Sequence, residues 1–106
     1  MNDVEISNLR LLTRALAALE TPEEAEDFLH ELCTPKEIRA LAQRLAIAEL
    51  LVQKIPYSKI GEALDSPGDE GSRPSTATIS RVNDTVQNGD GSLGKIIMRV
   101  SDVQGN

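Results

Sequence analysis

"ALAQRLAIAELLV" (residues 40–52) decides the fold. Its apolar residues, Leu41, Ala42, Leu45, Ala46, Ile47, Ala48, Leu50, Leu51 and Val52, wrap most of a helical circumference instead of forming one stripe. A helix apolar on nearly all sides is buried on nearly all sides. In a chain of 106 residues that burial requires help from outside the chain, most economically a second copy related by a two-fold axis. The composition points the same way. With one Phe, one Tyr and no Trp, the core must be built from Leu, Ile, Val and Ala, a palette that favours helices. A small aliphatic core is marginal alone, and oligomerisation adds buried surface.

Working outward, two helix starts stand out. "TPEE" (21–24) and "TPKE" (34–37) each place Thr at the N-cap, Pro at the first helical position and Glu where its carboxylate can bond back to the cap. They predict helices over about 22–32 and 35–53. Upstream, Leu9, Leu12, Leu16 and Leu19 recur at helical spacing, which predicts a helix over about 4–19. Pro56 ends the long apolar helix. "YSKIGEAL" predicts a short helix over about 57–64, with Tyr57, Ile60, Ala63 and Leu64 as its apolar side. "DSPGDEGSRP" (65–74), with two Pro, two Gly and the acids Asp65, Asp69 and Glu70, is a loop. Ser75 then caps a helix predicted over about 75–86, with Ala77, Ile79, Val82 and Val86 facing inward. "KIIMRV" (95–100) is apolar but short and fits helix and strand alike, so the tail 88–106 is left open. No boundary within 1–106 marks a second domain.

Net charge is −6, unevenly placed. Residues 1–31 hold eight acids against Arg10 and Arg14. Residues 36–59 hold five bases (Lys36, Arg39, Arg44, Lys54, Lys59) against Glu37 and Glu49, and Arg73 and Arg81 follow. A local basic face can therefore coexist with an acidic whole. One cysteine, Cys33, makes no disulfide framework and suits the cytoplasm. His30 and Cys33 cannot complete a metal site alone, and no nucleophile–base–acid set is visible, so neither metal nor enzymatic activity is expected. No apolar run is long enough to span a bilayer, so no membrane partner is expected.

"PSTATISRVN" (74–83) gathers Ser75, Thr76, Thr78 and Ser80 around a helix start that follows a short helix and a turn. That is the helix-turn-helix order, in which the second helix enters the major groove of double-stranded DNA by its N-terminal residues. Short side chains allow close approach. Hydroxyls bond phosphates or bases, and the methyls of Ala77 and the threonines fit thymine. Ser75, Thr76, Ala77, Thr78, Ser80 and Arg81 are the candidate DNA contacts, with Arg73 and Lys59 for phosphates.

"LCTPKEIRALAQRLAIAELL" (32–51) followed by "ATISR" (77–81) resembles the tryptophan repressor family, and "STATISRVN" (75–83) is similar to its YerC/YecD subgroup. The resemblance implies an all-α, intertwined helical homodimer with a helix-turn-helix motif, acting as a repressor on a palindromic operator. It also implies a ligand site. The family's tryptophan lies between two arginines beside a glycine, at positions matched here by Arg44, Arg81 and Val82, with Thr85 near the ligand amine. Val82 in place of glycine fills space the indole needs. Tryptophan is therefore not the expected ligand; the pair Arg44 and Arg81 leaves room for a smaller anion or for none at all. The 65–74 turn is longer than the family's and acidic. The alternative it raises is a helical interaction module that has lost DNA binding.

Overall fold

The computed structural model describes residues 1–69 and 72–104, with side chains through Ser101. It is all-α: α1 (Asp3–Ala18), α2 (Pro22–Leu32), α3 (Pro35–Val52), α4 (Tyr57–Ala63), α5 (Thr76–Asn88) and α6 (Ser92–Gln104). Glu70, counted above among the acids of the turn, lies outside the described residues, as do residues 105–106. No described helix is long and apolar enough to cross a membrane.

The helices start where side chains replace missing backbone partners. Thr34 and Glu37 form a complete capping box: Glu37 N–H donates to Thr34 Oγ1 (3.2 Å) and Thr34 N–H to Glu37 Oε1 (2.8 Å). The Thr34 amide, and then its hydroxyl, hold the Glu37 carboxyl below its ordinary pKa. At α2 the box is only half made. Glu24 N–H donates to Thr21 Oγ1 (3.1 Å), but the Glu24 carboxylate accepts from Glu20 N–H (3.0 Å), one residue before the cap. A further box, Asn2 with Glu5, opens α1. α5 runs two residues past its expected end because Asn88 Nδ2 donates to Asp84 Oδ1 (2.9 Å) and Gly89 N–H to the Thr85 carbonyl (3.0 Å). The undecided tail is helix α6, whose first turn is held by Asp90 Oδ1 accepting from Ser92 N–H (2.9 Å).

α3 ends in a Schellman arrangement. Lys54 N–H donates to the Leu51 carbonyl (2.9 Å) and Ile55 N–H to the Leu50 carbonyl (3.0 Å). Lys54 has φ 66°, the left-handed conformation that glycine usually fills.

The chain divides into two compact units, Met1–Ile38 and Arg39–Asn106. In the first, α1 and α2 contain no buried residue, and Val4, Leu9, Leu11, Leu12 and Leu16 are exposed. The second holds the core: Ile47, Ala48 and Leu51 of α3, Ile60 of α4, Ile79 and Val82 of α5, and Ile97 of α6. Leu50, Val52, Ile55, Leu64, Val86 and Leu93 pack around it half-buried. α3 thus buries one side only. Leu41 and Leu45 keep 43% and 51% of their surface. Ala77, expected inward, is exposed, because Ile79, Val82 and Val86 already define the inner face of α5.

Candidate nucleic-acid interface

Of the expected contact residues, Ser75, Thr76, Ala77, Thr78, Ser80 and Arg81 fall in the cap and first two turns of α5, Arg73 lies two residues before the cap, and Lys59 is on α4. Ser75 is the N-cap: its Oγ accepts the Thr78 N–H (3.1 Å) and lies 3.0 Å from Thr78 Oγ1. That pair caps the first turn. Thr76, Ala77, Ser80 and Arg81 are exposed around it and Thr78 is half-buried. Ala77, Ser80 and Arg81 fall one helical turn apart and so share a face. The opposite face, Ile79 and Val82, is anchored in the core, and α5 packs against both α4 and α6. The tip therefore offers small hydroxyl and methyl groups and one guanidinium on a fixed helix.

The described residues of the 65–74 segment are tied down by hydrogen bonds. Asp69 N–H donates to the Ser66 carbonyl (3.0 Å) around Pro67 and Gly68, and Gly68 has φ +85°, the order and conformation of a type II turn. Ser66 N–H donates to Ser72 Oγ (2.8 Å), and Gln43 Nε2 donates to the Ser72 carbonyl (3.1 Å), tying the segment to α3. Pro74 is buried next to the α5 cap.

Two of the candidate phosphate-binding cations are paired. Among the described residues the ion pairs are Lys59 with Glu62 (3.6 Å) and Arg73 with Asp65 (3.8 Å), all four side chains about half-exposed or more. Pairs so exposed contribute little to stability and exchange readily for phosphate. The Arg73 guanidinium also lies directly over Gly61: a Cβ placed there would stand 3.1 Å from both Nε and Nη2. Sequence reading missed this contact. Its one signal was an isolated glycine inside a helical pattern.

The expected ligand residues form no equally defined site. Arg44 and Arg81 are exposed. Thr85 is exposed and its hydroxyl turns back to the Arg81 carbonyl (3.4 Å). Val82 keeps only 7% of its surface and belongs to the core. A groove of about 290 Å³ lies on α3 and α6, lined by Leu45, Ala46, Glu49, Ile96, Ile97 and Val100. Its lining is aliphatic except for Glu49, whose carboxylate accepts from Ser101 Oγ (3.3 Å). Among the described residues no three His, Cys, Asp or Glu side chains are grouped to hold a metal ion.

Comparison with known proteins gives one consistent picture. Residues 7–101 match the family model described as Trp repressor protein. The uncharacterized protein YerC of Bacillus subtilis (strain 168) is 33% identical over 93 residues, covering 88% of this chain and 82% of that one. The crystal structure of a TrpR-like protein from Eubacterium eligens ATCC 27750 is similar with a TM-score of 0.77 and 32% identity, covering 90% of each chain. A candidate Trp repressor from Staphylococcus aureus is similar with a TM-score of 0.76 and 34% identity, covering 95% of this chain and 96% of that one.

Proposed function

The chain belongs to the Trp repressor family, whose members are regulatory DNA-binding proteins and not enzymes, and on that premise we propose that it is a sequence-specific repressor acting as a homodimer on a palindromic operator. α4 and α5 serve as the helix-turn-helix, with α5 in the major groove. Ser75, Thr76, Ala77, Thr78, Ser80 and Arg81 face the bases and flanking phosphates, and Arg73 and Lys59 bind phosphate. The observation that carries this reading is the tip of α5: a capped first turn with exposed Thr76, Ala77, Ser80 and Arg81 on a helix anchored by Ile79 and Val82. The overall charge of −6 is compatible with it, because eight of the acids lie in residues 1–31.

The homodimer is supported by what the single chain leaves uncovered. α1 and α2 bury nothing, while Leu41, Leu45, Ile96 and Val100 are exposed on α3 and α6. A second copy covers both sets, and residues 1–106 then form one domain per protomer with a shared core. The protein works in the cytoplasm, where its operator is. Tryptophan is not its corepressor, because Val82 is packed into the core where an indole would need room. A smaller anion held by Arg44 and Arg81, with Thr85 nearby, is the ligand of this reading. The acidic 65–74 segment favours a second reading, a protein-interaction module that does not bind DNA.

Selection of random duplexes on the purified protein, at low and moderate salt and with or without L-tryptophan, tests the proposal. Enrichment of a two-fold-symmetric sequence, indifferent to tryptophan, is the expected result. No enrichment from a protein shown to be dimeric by sedimentation would overturn it in favour of the module.

A further inference from the structure

We propose that Gly61 is a positioning residue whose missing side chain seats Arg73 in advance for its phosphate contact beside the tip of α5, an inference that rests on the DNA-binding reading above. A glycine inside a helix as short as α4 weakens it. This one is buried, although its own chain supplies no side chain there to bury. What fills the space is the Arg73 guanidinium. An alanine Cβ would come within 3.1 Å of Nε and Nη2 and 3.4 Å of the guanidinium carbon, so the guanidinium would have to shift outward by a few tenths of an ångström and lose its close fit.

The chain on either side of Arg73 is held as well. Gln43 grips the Ser72 carbonyl at 3.1 Å, and Pro74 is buried immediately before the Ser75 cap. Asp65, at 3.8 Å from Nη1, is too far for a hydrogen bond, so it neutralises charge without setting the orientation. The seat is therefore steric. It leaves the arginine about half-exposed, two residues before the helix cap, with a guanidinium that can make a planar, bidentate phosphate contact. Seating the side chain in advance removes the ordering cost that a free surface arginine meets on binding.

The test is a cycle of Gly61→Ala and Arg73→Ala, read by operator affinity across a salt series. Gly61→Ala strengthens α4 as a helix and should preserve the fold. It is expected to weaken operator binding by roughly two- to tenfold for each recognition helix. Arg73→Ala is expected to weaken binding and reduce the salt slope by about one per half-site, and Gly61→Ala is expected to add nothing further in that background. Equal losses from Gly61→Ala in both backgrounds, or no loss in either, would overturn the proposal. A readout independent of DNA is the ¹⁵N–¹H heteronuclear NOE of the Arg73 Nε–H. It should report a rigid group in the unmodified protein and a mobile one in Gly61→Ala. A mobile Arg73 in the unmodified protein refutes the seat even if DNA is bound. Failure of the unmodified protein to bind any duplex, with Arg73 rigid, refutes the phosphate contact and the repressor reading while leaving the seat intact.

Discussion

Thr78→Asp separates docking from folding. Thr78 is the third residue of α5, and its N–H is the one that Ser75 Oγ caps at 3.1 Å. An aspartate there keeps that N–H and places a carboxylate at the positive end of the helix dipole, a change worth about 0.3–1 kcal/mol in favour of the helix. The lost hydroxyl contact with Ser75 Oγ (3.0 Å) offsets part of this, so the melting temperature should barely move. The effect on DNA is opposite and larger. A carboxylate roughly 6 Å from a phosphate is repelled by about 0.7 kcal/mol in bulk water and about 3 kcal/mol at an effective dielectric of 20. Two recognition helices on one operator double this, a loss of roughly 10-fold to more than 10⁴-fold. Fluorescence anisotropy on the selected operator, with sedimentation confirming the oligomeric state, measures it. Thr78→Asn, of the same shape but neutral, should lose far less. Operator affinity unchanged in Thr78→Asp would refute the proposed placement of this turn against DNA.

Four further outcomes are expected. Lys54→Gly removes a left-handed non-glycine residue at φ 66° and should stabilise by about 1 kcal/mol in high salt, where the helix-dipole benefit of the lysine is screened. Thermal denaturation should show a rise of about 4–5 °C. Asp65→Asn removes the counter-charge beside Arg73 and should tighten operator binding about two- to fivefold at low salt, with the difference fading as salt rises. Titration calorimetry of the unmodified protein with L-tryptophan should give no saturable heat, and tight binding there would disprove the steric role of Val82. In an NMR pH titration, Glu37 should titrate below the ordinary glutamate range. Because its folded pKa is lowered, the stability it contributes is present above the unfolded value and lost as pH falls through the folded one.

What was legible in the sequence was what local rules govern. The Thr34–Glu37 box and the Ser75 cap are settled within one turn of chain, and the atoms meet as the residue types require. The side-chain periodicity of Ile79, Val82 and Val86 likewise marks the inner face of α5. The illegible parts depend on geometry that residue type does not carry. Glu24 reaches Glu20 instead of Thr21 because several amides lie within range of a flexible carboxylate. "KIIMRV" becomes helix only once Ile97 has the α3–α5 core to join. Lysine is not a turn residue, so nothing announced the left-handed Lys54. At the candidate site the hydroxyl tip could be read in advance. The Arg73 seat could not, since it depends on a side chain twelve residues on coming to lie over Gly61 of α4.

Helix α1 contains no buried residue. A solitary copy therefore exposes Leu9, Leu12 and Leu16. In the dimeric reading, dosage then becomes a control variable. While most chains are unpaired, doubling synthesis roughly quadruples the competent form. In that reading the exposed apolar side chains of α1 make the amount of competent protein rise more steeply than the amount of chain.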